Sequence, residues 1–282
     1  VNVVTFSPDG LTAATGSTDT TVILWNVDRA SSAFGEIVFR FEDHTNDVIS
    51  LTFVPGQDLL LSGSHDLSVN QWDTQTGENL TPGPSPQGES VRCLASSPDG
   101  QTIIMCAPSF MFYDVKQYRW TDRLLIKAEP QSAAFSADGR LLLTGSRDGY
   151  LILWNQEFQS EVRRFNTDGT PLSSVAITPD GRYFLTGMQD TCGAIVWDVA
   201  TGTEISRFTD DRGPGYLSLG AALTPDGKQA LYGCNAFFVP GLDHDVPLLT
   251  LWDTQTGELI HQLEGHQYLS LIHISEPTRL RR

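Results

Sequence analysis

A four-residue turn cluster recurs six times along the chain, and no other feature limits the fold as tightly. It reads Ser7-Pro-Asp-Gly10, Ser97-Pro-Asp-Gly100, Thr178-Pro-Asp-Gly181 and Thr224-Pro-Asp-Gly227, with Ser136-Ala-Asp-Gly139 and Val54-Pro-Gly-Gln57 as variants. Proline presets φ at the first central turn position, aspartate bonds nearby backbone, and glycine accepts the positive φ that closes a hairpin. Short alternating apolar stretches flank each cluster, such as Val4-Thr-Phe6 before and Leu141-Leu-Leu-Thr144 after. That is the period of a strand. An aromatic landmark follows each hairpin: Trp25, Trp72, Tyr113, Trp154, Trp197 and Trp252, spaced by 47, 41, 41, 43 and 55 residues. A period in the forties built from strands marks a stack of four-stranded units.

Several landmarks carry more of the pattern: Gly63-Ser-His-Asp66 through Gln71-Trp-Asp73, Gly145-Ser-Arg-Asp148 through Leu153-Trp-Asn155, and Val196-Trp-Asp198. On these residues the chain resembles the WD40 family from Val1 to His266. The resemblance implies an all-β, WD40-type β-propeller with six four-stranded blades present, truncated from seven or more. In the second blade the strands are expected at Val48–Phe53, Asp58–Ser62 and Ser68–Trp72, with a short outer strand near Glu78–Leu80. Phe6, Phe53, Phe135, Ile177 and Leu223 hold one equivalent position and are expected in the core. Trp72-Asp-Thr-Gln-Thr-Gly-Glu78 recurs identically as Trp252 to Glu258, which reads as internal duplication and locates a turn.

The end of the chain breaks this pattern. Leu269 to Arg279 resembles a translated sequencing adapter and interrupts a repeat just after Gly265-His266, while Val1 falls inside a repeat. Processing and cloning scars are set aside before a fold is read. The expected organisation is a propeller fragment over residues 1–268 and a non-native tail over 269–282.

The formal net charge is −16, and no basic stripe is clustered anywhere. A field of that sign repels phosphate backbones, which disfavours nucleic acid as a partner. No apolar run approaches the length of a membrane-spanning helix. Cys93, Cys106, Cys192 and Cys234 form no Cys-x-x-Cys pair and no zinc spacing with histidine. They read as buried free thiols, which fits a reducing, cytoplasmic setting.

His44, Ser62 and Asp66, with Trp72, invite comparison with a Ser-His-Asp catalytic set. A nucleophile also needs an exposed oxygen and an oxyanion hole, and no Gly-x-Ser-x-Gly elbow is present. The family resemblance implies a structural tetrad instead, in which His44 bonds Asp66 and Ser62 while Trp72 donates its indole N–H. The first, fourth and fifth blades keep Asp19, Asp148 and Asp190 without the histidine. The third departs furthest: Cys106 is read at the serine position, the turn is shortened by three residues, Tyr113 replaces tryptophan, and rigidity is expected to suffer.

Propellers gather the outer-to-inner connections and the central hairpin turns on one face. Three unusual segments fall there: the proline-rich Thr81 to Gly88, the polar Thr209 to Gly215, and the insertion Asn235 to Pro247 with Phe237 and Phe238. Aromatic residues on a scaffolded loop are anchor candidates for protein recognition. Asp243-His-Asp245 is too local to converge on a metal unaided, and no metal is expected. Thr18, His65, Arg147 and Gln189 precede the turn aspartates and complete the candidate partner-binding set, Arg147 foremost because arginine suits interface hot spots. The function read from the sequence is a non-enzymatic scaffold that presents this face to protein or peptide partners, with no cofactor, no small-molecule substrate and no membrane contact. The rival reading is a sensor region of a larger bacterial signalling enzyme, a Ser/Thr kinase, caspase-like protease or NTPase, whose catalytic domain lies elsewhere.

Overall fold

The computed structural model describes residues 1–80, 90–107, 110–115, 119–124, 129–155, 160–189, 193–209, 216–224, 226–236 and 248–263. Among them every regular element is a strand. The chain divides into two compact units, Val1–Pro130 and Gln131–Arg282, and each is built of antiparallel meanders.

In the first unit, β1 (Val3–Phe6), β2 (Thr12–Gly16), β3 (Val22–Asn26) and β4 (Ile37–Phe41) make the first sheet in sequence order. The second sheet is β5 (Val48–Phe53), β6 (Leu59–Ser64) and β7 (Val69–Asp73). The third is β8 (Cys93–Ser96), β9 (Thr102–Cys106), β10 (Phe110–Asp114) and β11 (Arg119–Leu124). In the second unit the fourth sheet is β12 (Pro130–Phe135), β13 (Leu141–Ser146), β14 (Tyr150–Asn155) and β15 (Glu161–Asn166). The fifth is β16 (Leu172–Ile177), β17 (Tyr183–Met188), β18 (Gly193–Asp198) and β19 (Glu204–Thr209). The sixth is β20 (Tyr216–Leu223), β21 (Gln229–Ala236), β22 (Leu248–Asp253) and β23 (Leu259–Leu263). The five landmark tryptophans all lie in the third strand of their sheet.

The second sheet has a short outer segment where one is expected, near Glu78–Leu80. Its outer segment is held by one bridge, Trp72 to Asn79, and by Leu80 N–H on Gln71 O at 2.8 Å. The sequence then runs into Pro82, Pro84 and Pro86, which have no N–H to extend a ladder.

The turn clusters fold alike. Ser7, Ser97, Ser136, Thr178 and Thr224 each donate a hydroxyl to the aspartate two residues on, at 2.5–2.7 Å. The same aspartate oxygen accepts the N–H two residues further, and the closing glycines sit at positive φ. These hydrogen bonds, the Ser or Thr hydroxyl first in each case, hold Asp9, Asp138, Asp180 and Asp226 below the ordinary aspartate range.

Neighbouring sheets within a unit pack face to face, and each seam has its own apolar cluster. Leu24, Phe41, Val48, Leu60 and Trp72 fill the first seam, and Leu61, Val91, Leu94, Met105 and Tyr113 the second. Leu153, Phe165, Val175 and Trp197 lie at the seam of the fourth and fifth sheets, and Val196, Phe208 and Tyr232 at that of the fifth and sixth. Strand β6 is buried along its whole length because it has a sheet against each face. Phe53 is buried, whereas Phe6, Phe135, Ile177 and Leu223 at the equivalent positions are only half-buried.

In three sheets the close approach of the neighbour rests on a glycine near the end of the second strand. A Cβ on Gly16, Gly63 or Gly145 would stand 2.6, 2.5 and 2.8 Å from a Cγ of Val48, Val91 and Val175 respectively. In the third sheet that register position is Cys106, paired with Cys93. The two are joined as a disulfide across β8 and β9, with Cα atoms 4.8 Å apart. This corrects the reading of these two as free thiols: strand register, which spacing does not reveal, sets the sulfurs face to face. The ladder also corrects the reading of Cys106 at the serine position. Tyr113 pairs with Ile103 as Trp72 pairs with Leu60, so Met105 matches Ser62 and the turn is two residues shorter. Tyr113 is 1% exposed, and its hydroxyl accepts Gln71 Nε2 at 2.8 Å from the second sheet.

Candidate functional site

The structure brings His44, Ser62, Asp66 and Trp72 together. His44 precedes β5, Ser62 lies within β6, Asp66 lies in the β6–β7 turn and Trp72 in β7. His44 Nδ1 is 2.8 Å from Asp66 Oδ2, and Nε2 is 2.7 Å from Ser62 Oγ. Trp72 Nε1 donates to the same Oγ at 2.8 Å. One proton arrangement satisfies every contact: Nδ1–H donates to the carboxylate, Ser62 O–H donates to bare Nε2, and Ser62 accepts from the indole. Asp66 is filled further by Thr45 N–H at 2.9 Å on Oδ2 and by Ser68 N–H and O–H at 2.9 and 2.5 Å on Oδ1. Burial pushes its carboxyl up, and the bonds from Ser68, Thr45 and His44 outweigh it, so the pKa falls below the usual range.

Connectivity alone would suit acid–base chemistry, but the surroundings do not. Ser62 is 0% exposed. It sits in a middle strand paired on both sides, with Leu51 and Asn70, so its local backbone N–H groups belong to ladders and cannot form an oxyanion hole.

The tryptophan-to-hydroxyl bond recurs. Trp25, Trp154 and Trp197 donate to Thr15, Thr144 and Thr186 at 2.9, 2.9 and 3.2 Å. These threonines were not singled out from the sequence, although a hydroxyl ten or eleven residues before each tryptophan was the available signal. In the sixth sheet Tyr232 holds that register position and stacks on Trp252 at 6.0 Å. No described residue accepts the Trp252 N–H. Asp19 accepts Thr21 N–H and O–H, and Asp148 accepts the Ser146 hydroxyl, without a histidine. Asp190 lies outside the described residues.

Of the partner-binding candidates, Thr18, His65 and Arg147 are exposed on second-to-third-strand turns. Gln189 is half-buried and anchored through its N–H on Pro171 O at 2.7 Å. Phe237 and Phe238, the segment Thr81 to Gly88 and most of the Thr209 to Gly215 segment lie outside the described residues. Among the described residues no group of His, Cys, Asp and Glu could hold a metal, and no helix is long and apolar enough to cross a membrane.

Six repeated antiparallel meanders, five carrying a third-strand tryptophan at a fixed register and four of those a hydroxyl acceptor, define the blades of a WD40-type β-propeller. Residues 1–26, 35–73, 129–155 and 159–198 match the family described as WD domain, G-beta repeat, and the chain belongs to the WD40-repeat family. It is 30% identical over 214 residues to periodic tryptophan protein 2 of Arabidopsis thaliana, covering 72% of this chain and 22% of that protein. It is 25% identical over 273 residues to the WD repeat-containing protein WDS homolog of the same plant, covering 93% and 49%. Subunit I of eukaryotic translation initiation factor 3 from Scheffersomyces stipitis is 26% identical over 197 residues, covering 60% and 55%. The alignments thus span 22% of the first of these relatives and about half of the other two.

Proposed function

We propose that this chain is a non-enzymatic interaction scaffold and that its His-Ser-Asp set is structural. The observation that carries this reading is Ser62: its hydroxyl is fully buried and already shared between His44 and Trp72. A repeat array of this kind offers a broad rigid surface rather than a preformed reaction site. One relative is named as a subunit of a larger factor, which favours protein partners here. The net charge of −16 argues against a phosphate backbone as partner. Partners would meet the second-to-third-strand turns, at Thr18 and His65 in the first unit and at Arg147 in the second, with Phe237 and Phe238, outside the described residues, as further candidates. The rival reading of a signalling-enzyme sensor would use the same turns and has no observation of its own among the described residues. The cytoplasmic reading loses part of its ground with the Cys93–Cys106 disulfide, since such bonds are rare in reducing compartments.

Photo-cross-linkers at Thr18, His65 and Arg147, in protein expressed in its own host, are expected to capture one common partner. Equal capture from Glu36, at the opposite strand ends, would overturn the assignment of these turns. A fluorophosphonate probe is expected to leave Ser62 unlabelled, and stoichiometric labelling would overturn the non-enzymatic reading.

A further inference from the structure

A gap lies open between the first two blades. At three described seams the glycine of the turn between the first and second strands of one blade lies within 4 Å of the turn or second strand of the blade before. Gly100 abuts the Pro55 carbonyl, Gly181 lies against Leu141, and Gly227 lies against the Tyr183 ring. At the first seam the matching turn position is Gln57, whose amide is turned away to the Gly100 carbonyl of the third blade at 2.9 Å, and a Cβ on the neighbouring Gly56 would meet nothing within 4 Å. The residue opposite, in the place of Leu141 and Tyr183, is the smaller Thr12. The result is a cavity of about 290 Å³ lined by both residues.

Its chemistry is uneven. Leu24 and Phe53, themselves buried, supply an apolar floor, while the exposed Asp9 and Asp58 supply carboxylates; no Lys, Arg or His lines it. Asp9 takes its bonds from Ser7 and Leu11 on Oδ1, and Asp58 takes Gln75 Nε2 on Oδ1 at 3.3 Å, so both Oδ2 atoms remain to face an incoming group. An apolar floor beneath two carboxylates matches a long aliphatic stem that ends in a cation. The chain's net charge of −16 adds attraction for a basic segment.

We propose that this cleft between the first two blades is a docking site for an arginine or lysine side chain of a basic peptide segment in a partner protein. It stands on the turns at the strand ends opposite Thr18 and His65, and holds whether or not those turns bind a partner.

The probe is the tripeptide acetyl-Gly-Arg-Gly-amide, titrated into the ¹⁵N-labelled full chain. Amide shifts are expected at Asp9, Thr12 and Asp58, with the citrulline and glutamate analogues giving none. Asp9→Asn with Asp58→Asn keeps the Oδ1 acceptors and is expected to weaken binding at least tenfold. Thr12→Leu, which fills the gap as Leu141 does its own seam, is expected to abolish binding with the melting temperature unchanged or raised. Unaltered affinity in either variant, equal shifts with citrulline, or shifts confined to residues elsewhere would overturn the proposal.

Discussion

Trp72 and Ser62 lie on adjacent strands, and the indole N–H of one meets the hydroxyl of the other at 2.8 Å. The hydroxyl sits two residues beyond Leu60, the ladder partner of the tryptophan. The same offset places Thr15, Thr144 and Thr186 beneath Trp25, Trp154 and Trp197. In four blades one such bond therefore ties the middle strands together and gives the indole its acceptor. Among the described residues only the second blade extends it, through His44, to the segment that leads from the first sheet into its own first strand.

Ser62→Ala is expected to destabilise the protein by about 2 kcal/mol, because it strips partners from both the Trp72 N–H and His44 Nε2 in a dry site. Ser62→Thr, which restores the acceptor used by three other blades, is expected to lose less. Denaturant unfolding measures both, and equal stability of the alanine variant would show that the network is not formed.

Acid should unfold the protein through its aspartates. Asp66 has its pKa lowered despite burial, and the turn aspartates are lowered by their hydroxyl and N–H donors. A depressed folded pKa contributes stability that is complete above the unfolded value, about 3.9, and is lost as pH falls through the folded one. Melting temperature is thus expected to be insensitive to these groups from pH 7 to about 5 and to fall below about 4. Asp66→Asn should start lower at neutral pH and fall less steeply; a wild-type curve that stays flat to pH 2.5 would sink this account.

Much of this was legible before any coordinates. The turn clusters and tryptophans place the sheets, and the type of residues at 44, 62, 66 and 72 anticipates the network, because hairpin chemistry and hydrogen-bonding capacity are local properties. Lateral register was harder to read. Cys93 and Cys106 meet through the β8–β9 ladder, and Met105 takes the serine's place because the turn between β9 and β10 is shorter. Nor could spacing reveal that Thr12 leaves space where Leu141 and Tyr183 fill it, since that depends on the next sheet's turn.

The disulfide makes a separable prediction. Non-reducing peptide mapping is expected to recover Cys93 linked to Cys106, a pair 13 residues apart. Closing a loop of that size contributes about 3 kcal/mol in the chain-entropy account, so reductant should lower the unfolding midpoint. The Cys93→Ser/Cys106→Ser variant should lose that sensitivity. Alkylation of both thiols in the untreated native protein would refute the link.

The seam glycines test how the blades are held apart. Gly63→Ala would set a methyl 2.5 Å from Val91 Cγ1 and 3.0 Å from its Cβ. A β-branched side chain has little rotamer freedom with which to retreat, so the neighbouring sheet must shift, at about 1–3 kcal/mol. Gly10→Ala meets nothing within 4 Å but sits at φ +70°, and should cost only the backbone strain of about 1 kcal/mol. The two costs are distinguished by a second change. Val91→Ala removes the colliding methyls, so Gly63→Ala should cost markedly less in its presence, a coupling that a double-mutant cycle reads directly. Gly10→Ala should show no coupling to Val91→Ala. Additive effects of the Gly63 and Val91 changes would mean that the glycine serves the strand's own backbone rather than the packing of blade on blade.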